Sequence, residues 1–455
     1  MKGWTLARLA QALDRREVSA VEATTQCLAW LQAVHGRLRC AIHIDPEGAL
    51  VAARKSDARR KRQSARGVLD GVPLAHKDVF DRAGRRTTAG SRIRSSHVPE
   101  RTADLLRRLD QAGAIDLGTL NMAEFAAGGT GHNQHWGDCA NPWNPAYTPG
   151  GSSSGSACAV ASGAVFGSLG TDTGGSLRWP AALCGVTTIR PTPGTVSLRG
   201  VMPRSWSLDA VGPMARSAED CALLLEAIGG PASPRTRQRS LSNVRIGVPR
   251  GGWRADVAEE HLVALERSLR VLRRAGARIV EVTVPGPETG FALGDLVVKS
   301  EAASLHGRLL RERPEDYAPG IRAQLVSGTG ILAADYLDAL RLRPLLQAEF
   351  VGAAFARAEA ILVPVYPFGP PIMEDCAPRS AAAVGRFWGA YPRFTRPFSY
   401  LGLPAMSVPC GFDAAGIPIA FQLAGPPGSD RRLLDIAHGF QRETDWHLRQ
   451  PCVPQ

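Results

Sequence analysis

One lysine and two glycine- and serine-rich segments are the parts of this sequence best suited to chemistry. Lys77 ends the apolar run GVPLAHK, residues 71–77, in a chain with only five lysines beside 49 arginines. Burial at a strand end would lower the pKa of a lysine and make a neutral amine available as a base, a role that arginine cannot fill. From this run alone, a lysine that extends from the strand end into solvent is an equally good interpretation.

The two glycine- and serine-rich segments are TPGGSSSGS, residues 148–156, and GTDTGGSLR, residues 170–178. Successive glycines let backbone N–H groups turn toward one point, as stabilisation of an oxyanion requires, and a serine that ends such a turn can be a nucleophile. Neither segment contains the G-x-x-x-x-G-K-[ST] pattern of a phosphate-binding loop. Either segment alone is more typical of an ordinary turn.

Taken together and in this order, the segments resemble the amidase signature family of serine amidohydrolases. The signature runs from Pro149 through DTGGSLRWPAA, residues 172–182, to RPT, residues 190–192. Companion motifs extend the resemblance over nearly the whole chain, and they are Gly71-Val72-Pro73 with Lys77-Asp78, Asn121-Met122-Ala123-Glu124-Phe125, Asn141-Pro142-Trp143-Asn144, Ser207-Leu208-Asp209 with Gly212-Pro213, and Gly402-Leu403-Pro404-Ala405 with Val408-Pro409.

The resemblance implies a residue for each catalytic role. Ser176 matches the nucleophile, Ser152 the bridging serine held by a cis peptide, and Lys77 the general base. The backbone N–H groups that match the oxyanion hole are those of Thr173, Gly174, Gly175 and Ser176. No metal ion and no organic cofactor is implied.

Five positions are predicted to contact the substrate: Met122, Gly128, Ser153, Arg178 and Trp206. Arg178, two residues after the matched nucleophile, could grip a substrate carboxylate or brace the loop, and bracing is the favoured interpretation. Aromatic residues after the signature, among them Phe387 and Trp388, indicate an apolar or aryl acyl group, although core packing explains isolated aromatics equally well.

The predicted function is that of an amidohydrolase acting on linear amides, which forms an acyl-enzyme on Ser176 and releases acid plus ammonia or an amine. The alternative within the family is the A subunit of a glutamyl-tRNA amidotransferase, which releases ammonia from glutamine for a partner protein. In that family member, the glutamine amino group is held by an acidic residue ten positions before the glycine of the Gly402-Leu403-Pro404-Ala405 motif. Pro392 stands at that position here.

Composition constrains the partners. The 455 residues carry a formal charge of +12, but the excess is almost all arginine and the dense basic run over residues 54–66 lacks aromatics that could stack on bases. We therefore expect a small-molecule amide as substrate, no nucleic acid and no membrane; a homodimer is a family-level expectation. Nine scattered cysteines without a CxxC pair indicate a reducing cytoplasm.

The elements that must position these residues follow an α/β pattern. Residues 1–66 predict N-terminal helices, residues 67–228 contain the catalytic motifs, and residues 243–455 alternate strand and helix patterns and supply the substrate pocket. The resemblance implies a single domain in which a large mixed β-sheet is sandwiched between α-helices.

Two local patterns mark where individual helices begin and end. Ser19 with Glu22 three residues later has the spacing of a capping box, so a helix is predicted to start there. Near the end of the chain, apolar periodicity predicts a closing helix over residues 430–442.

Two histidine-containing patterns have other interpretations. His132, His135, Asp138 and Cys139 have a spacing that could bind zinc, but they precede a family motif that shapes the site without metal, so no metal is predicted. His76 neighbours Lys77 and should point to the opposite face of the strand, where a packed histidine is expected.

Overall fold

The computed structural model describes residues 1, 3–230, 240–377 and 390–453. The chain begins with α1 (Leu6–Asp14), α2 (Ala20–Leu38), β1 (Ala41–Ile44) and α3 (Pro46–Lys61). Helix α2 starts at the predicted capping box, because the Ser19 hydroxyl accepts the Glu22 N–H and the Glu22 carboxylate accepts the Ser19 N–H. The N-terminal region thus contains one strand besides its predicted helices.

A small three-stranded sheet presents Lys77. Its order is β1, β3, β2, with β3 (Ile115–Leu120) in the centre. Strand β2 (Pro73–Lys77) runs parallel to β3, and α4 (Asp104–Gln111) lies between them in the chain. All five residues of β2 are buried, so its last residue enters the protein interior rather than solvent.

The large sheet has eight strands in the order β4, β6, β5, β10, β11, β9, β7, β8. Strand β6 pairs antiparallel with β4 and β5. Strand β10 pairs antiparallel with β5 and β11, and β11 pairs antiparallel with β9. Strand β7 pairs parallel with β8 and β9. The sheet is therefore mixed, as predicted. The strand bounds are β4 (Gly167–Asp172), β5 (Thr187–Arg190), β6 (Ala210–Ala215), β7 (Arg245–Pro249), β8 (Arg278–Val282), β9 (Ala360–Pro364), β10 (Ala405–Phe412) and β11 (Pro418–Ala424).

Helices cover both faces of this sheet. Two consecutive residues of β11 point to opposite faces of the sheet, and each contacts a different helix. Ala420 packs with Trp179 of one helix, and Phe421 contacts Phe440 of another, with 4.9 Å between ring centroids. This arrangement confirms the predicted sandwich. The remaining helices are α5 (Ser154–Ala161), α6 (Arg178–Cys184), α7 (Ala218–Ala227), α8 (Glu259–Arg274), α9 (Pro287–Glu312), α10 (Pro319–Ser327), α11 (Ala333–Phe355), α12 (Arg396–Tyr400) and α13 (Asp430–Arg442).

The glycine- and serine-rich part of the chain is core rather than linker. Residues 148–162 and 164–191 are buried, including every residue of α5 and β4. Small side chains let these elements approach closely: a Cβ on Gly155 would stand 2.2 Å from the Cys40 carbonyl oxygen. Among the described helices, none is long and apolar enough to cross a membrane.

Candidate active site

Lys77 is enclosed between two hydroxyl groups. It is fully buried, and its Nζ lies 2.7 Å from Ser152 Oγ and 2.8 Å from Thr171 Oγ1. Burial lowers the pKa of Lys77 to about 7, although the carboxylates of Asp209 and Asp172 act in the opposite direction. Of the two interpretations that the sequence left open for Lys77, the structure therefore shows the buried one.

Ser152 is presented by the turn that precedes α5. The Gly151–Ser152 peptide bond is cis, as the family resemblance implies. The next residue, Ser153, donates its backbone N–H to the Ser176 carbonyl oxygen at 3.3 Å. The two glycine- and serine-rich segments therefore lie against each other, and the structure brings Lys77, Ser152 and Ser176 together.

Ser176 follows a turn that is held by the Asp172 carboxylate. Asp172 Oδ1 accepts the N–H of Gly175 at 2.8 Å, and its Oδ2 accepts the N–H of Leu177 at 3.2 Å. Gly175 has φ +139°, and a Cβ there would stand 2.5 Å from Trp179, so only glycine fits. The Gly175 N–H, predicted as one of four oxyanion donors, is already bonded to Asp172. Ser176 itself is 6% exposed, at the wall of a cavity.

Arg178 braces this turn. Its guanidinium is fully buried and donates to both Asp172 oxygens at 2.9 Å. The same group donates to the Thr395 carbonyl and Gln422 Oε1 at 2.8 and 2.7 Å, and to Ser399 Oγ at 2.8 Å. Burial by itself would raise the pKa of Asp172, but Arg178, Arg190 and the Leu177 N–H together outweigh it and the pKa falls to about 2. These bonds agree with the bracing interpretation and do not direct Arg178 toward a substrate.

The other predicted substrate contacts are spread around the site. Met122 is fully buried. Ser153 Oγ lies 3.4 Å from the Thr171 carbonyl oxygen. Gly128 lines a cavity of about 560 Å³ next to the one at Ser176. Trp206 is half exposed and lines a separate surface pocket with Tyr336. Phe387 and Trp388 lie outside the described residues.

Two residues that shape this site stand in the quoted motifs but were assigned no role from the sequence. Thr171 holds Lys77, and its position in GTDTGGS, one residue before Asp172, is the signal that could have pointed to it. Asp209 accepts a hydrogen bond from Thr173 Oγ1 at 2.6 Å and from the backbone N–H of Arg204 at 2.8 Å. Burial raises the pKa of Asp209.

The histidines are engaged elsewhere. His76 is buried, its Nδ1 accepts the Leu169 N–H at 3.1 Å, and burial lowers its pKa to about 4. His135 Nε2 lies 3.0 Å from a Glu124 oxygen, and His132 Nδ1 lies 2.8 Å from Thr130 Oγ1. In the part of the chain that the structure describes, no three histidine, cysteine, aspartate or glutamate side chains are arranged to hold a metal ion.

Comparison with known proteins agrees with this geometry. The model of the family named Amidase matches residues 22–434. The A subunit of glutamyl-tRNA(Gln) amidotransferase from Cupriavidus necator is 36% identical, over 98% of this chain and 98% of that protein. A solved structure of an amidase is 32% identical with a TM-score of 0.88, covering 96% of this chain and 99% of that one. The structure of the A subunit from Thermotoga maritima is 27% identical with a TM-score of 0.77, covering 93% and 91%.

These relatives correct the prediction about partners. The protein from Cupriavidus necator is one component of an enzyme named for glutamyl-tRNA(Gln). The expectation of a small-molecule amide as the only substrate, with no nucleic acid, is therefore wrong. The homodimer stays a prediction. The expectation of no nucleic acid rested on the absence of aromatics in the basic run over residues 54–66, and neither that run nor the catalytic motifs carry information about an assembly.

Proposed function

The chain belongs to the amidase family, and on that premise we propose that it is the amide-hydrolysing subunit of an amidotransferase, releasing ammonia from glutamine. The curated relatives, at 36% identity over nearly the full length, support this alternative more than a free amidase. The observation that carries the chemistry is the buried Lys77 amine 2.7 Å from Ser152 Oγ, beside Ser176. The buried thiols suit a reducing cytoplasm.

In the proposed mechanism, a proton passes from Ser176 through Ser152 to Lys77. A 2.7 Å separation serves a hydrogen bond in either direction, so a neutral Lys77 accepts the Ser152 proton while Ser152 accepts that of Ser176. Ser176 Oγ then bonds to the amide carbon. Burial lowers the pKa of Lys77 to about 7, which makes the neutral amine accessible near neutral pH and meets the requirement for a base matched to the working pH.

The negative charge on the former carbonyl oxygen needs donors. We assign this role to the backbone N–H groups of Thr173, Gly174 and Ser176, because the Gly175 N–H is bonded to Asp172. Each donor contributes roughly 3 to 4 kcal/mol in comparable sites. The proton then returns through Ser152 to the amide nitrogen, the C–N bond breaks, and ammonia leaves. Water attacks the acyl ester by the same relay and frees the acid.

A free amidase is the second candidate, and one observation favours it. Pro392 stands where the A subunit of the family has its acidic residue for the glutamine amino group. Pro392 is buried, and its carbonyl oxygen accepts the Thr395 N–H at 3.1 Å. A substrate without an amino group would need no carboxylate there.

Covalent labelling tests the proposed chemistry. The purified chain is treated with a fluorophosphonate and its intact mass is measured, with Ser176→Ala and Lys77→Ala in parallel. We expect one adduct on the wild type, none on Ser176→Ala, and a strongly slowed reaction on Lys77→Ala. An adduct that persists in Ser176→Ala would refute the assigned nucleophile.

Ammonia release from glutamine separates the two candidates. A component of an amidotransferase should release ammonia faster once the other subunits of a glutamyl-tRNA(Gln) amidotransferase and the charged tRNA are added. A free amidase should release ammonia at the same rate with or without these additions, and it should hydrolyse its best amide without any partner. Ser176→Ala is the control for both measurements.

A further inference from the structure

The cavity beside Ser176 carries an excess of positive charge. Four charged side chains line it, namely Arg204, Asp295, Lys299 and Arg396. Asp295 is the one carboxylate among them, and it forms ion pairs with Arg396 Nη1 at 2.6 Å and with Lys299 Nζ at 2.8 Å. Three cations and one shared carboxylate give this wall a net positive charge.

Arg204 lies in the same cavity with part of its guanidinium unused. The residue is 6% exposed, and its Nη2 donates to Gln324 Oε1 at 2.7 Å. Its Nη1 is buried and has no hydrogen-bond partner among the described residues. A buried guanidinium nitrogen without an acceptor is costly, because desolvation is not repaid by any bond. Burial accordingly lowers the pKa of Arg204 to about 10.

A carboxylate would complement the positive charge of this wall and would accept a hydrogen bond from the unpaired nitrogen of Arg204. We propose that Arg204 binds a carboxylate on the acyl side of the substrate, so that the amides cleaved at Ser176 are acids as well as amides. A planar guanidinium binds a carboxylate through strong charge-assisted hydrogen bonds. This inference rests on the proposed function, since it assigns the recognition of an amide that Ser176 attacks.

Two other residues fit this role less well. Arg178 was predicted from the sequence to contact the substrate, but its guanidinium already donates hydrogen bonds to Asp172 and to three other atoms of the protein. Lys299 is more than one-third exposed and is paired with Asp295, so water and that carboxylate both weaken its attraction for a ligand. Asp295 is likewise already paired, which leaves an ammonium group no free carboxylate among the described residues that line this cavity.

The test compares two amides that differ only in charge. The monoamide of glutaric acid carries a carboxylate, and the diamide of the same acid is neutral and nearly isosteric. Ammonia release gives kcat/KM per amide group for both compounds, and the monoamide and diamide of succinic acid repeat the comparison one carbon shorter. The variants are Arg204→Gln, which keeps polarity, and Arg204→Lys, which keeps charge. Arg393→Gln is the matched control, because that arginine pairs with Asp256 and Glu288 outside the cavity.

We expect the wild type to prefer the monoamide by about tenfold to a hundredfold, the range for charge-assisted hydrogen bonds. Arg204→Gln should bring the ratio close to one by losing activity on the monoamide alone, Arg204→Lys should keep part of it, and Arg393→Gln should keep all of it. Circular dichroism and the wild-type midpoint of urea unfolding will show that the Arg204 variants are folded.

Two results would overturn this inference. A wild type that cleaves both amides equally has no carboxylate site, and an Arg204→Gln variant that keeps the full preference has its site elsewhere. The result would be different if the proposed function were wrong. The wild type would then form no adduct with the fluorophosphonate and release no ammonia from any of the amides. The inference would fall with it.

Discussion

The hydroxyl group of Thr171 gives the sharpest test of the base assigned to this site. It accepts a hydrogen bond from Lys77 Nζ at 2.8 Å, and both residues are buried. A hydrogen bond stabilises a charged group by about 1.5 to 3 kcal/mol and a neutral one by about 0.5 to 1.5 kcal/mol. Thr171→Val removes the acceptor at nearly constant volume, so the ammonium loses about 1 kcal/mol more than the amine. The pKa of Lys77 should then fall by about one unit.

The assay is the pH dependence of fluorophosphonate labelling, followed by intact mass. Only the neutral amine accepts a proton, so wild-type labelling should rise about tenfold per pH unit below the pKa of about 7 and level off above it. In Thr171→Val the midpoint should move to lower pH by about one unit, even if the plateau is slower. Thr171→Ser keeps the hydroxyl and should keep the wild-type midpoint. A Thr171→Val midpoint that is unchanged or raised would refute the reasoning.

Two further variants test the frame around Ser176. Gly175→Ala should abolish labelling, because its Cβ would meet Trp179 at 2.5 Å and Thr395 at 2.6 Å, whereas Gly84→Ala, also at positive φ but with nothing within 4 Å, should label like the wild type. Equal labelling of the two would contradict a crowded turn. Arg178→Met should lower the free energy of unfolding in urea by about 3 to 5 kcal/mol, because the buried Asp172 loses the arginine that contacts both of its oxygens and keeps only Arg190, at 3.8 Å. Arg432→Met, which breaks a partly exposed pair with Glu359, should cost less than about 1 kcal/mol, and similar losses in both would count against the bracing role.

The parts that could be predicted from sequence are those fixed by local conformation. Lys77 ends a buried strand because an apolar run leads into it. The glycine before Ser176 could be predicted to mark a turn, because Gly175 has φ +139°, a conformation that favours glycine. The closing helix has its predicted bounds, Asp430–Arg442, because its apolar periodicity and its flanking turns agree.

The parts that could not be predicted depend on contacts between distant segments. Arg178 meets the carbonyl of Thr395 across 217 residues, and no local pattern indicates such a partner. The same holds for Arg204, whose role depends on which loop faces the cavity. Trp206, two residues further on, faces a different pocket, because the direction of a loop is set by what packs beneath it. Assembly with other chains depends on surface features that catalytic motifs do not contain.

The strand order of the large sheet has a consequence for synthesis of the chain on the ribosome. Strand β5 (Thr187–Arg190) pairs on one side with β10 (Ala405–Phe412), which is made about 215 residues later. At about 5 to 20 residues per second, roughly 10 to 40 seconds pass before this partner emerges. Throughout that interval β5 presents open N–H and C=O groups, the kind of edge that associates with other nascent chains. The first half of the polypeptide, although it holds Lys77, Ser152 and Ser176, therefore depends on strands near its C-terminus to complete the sheet beneath them.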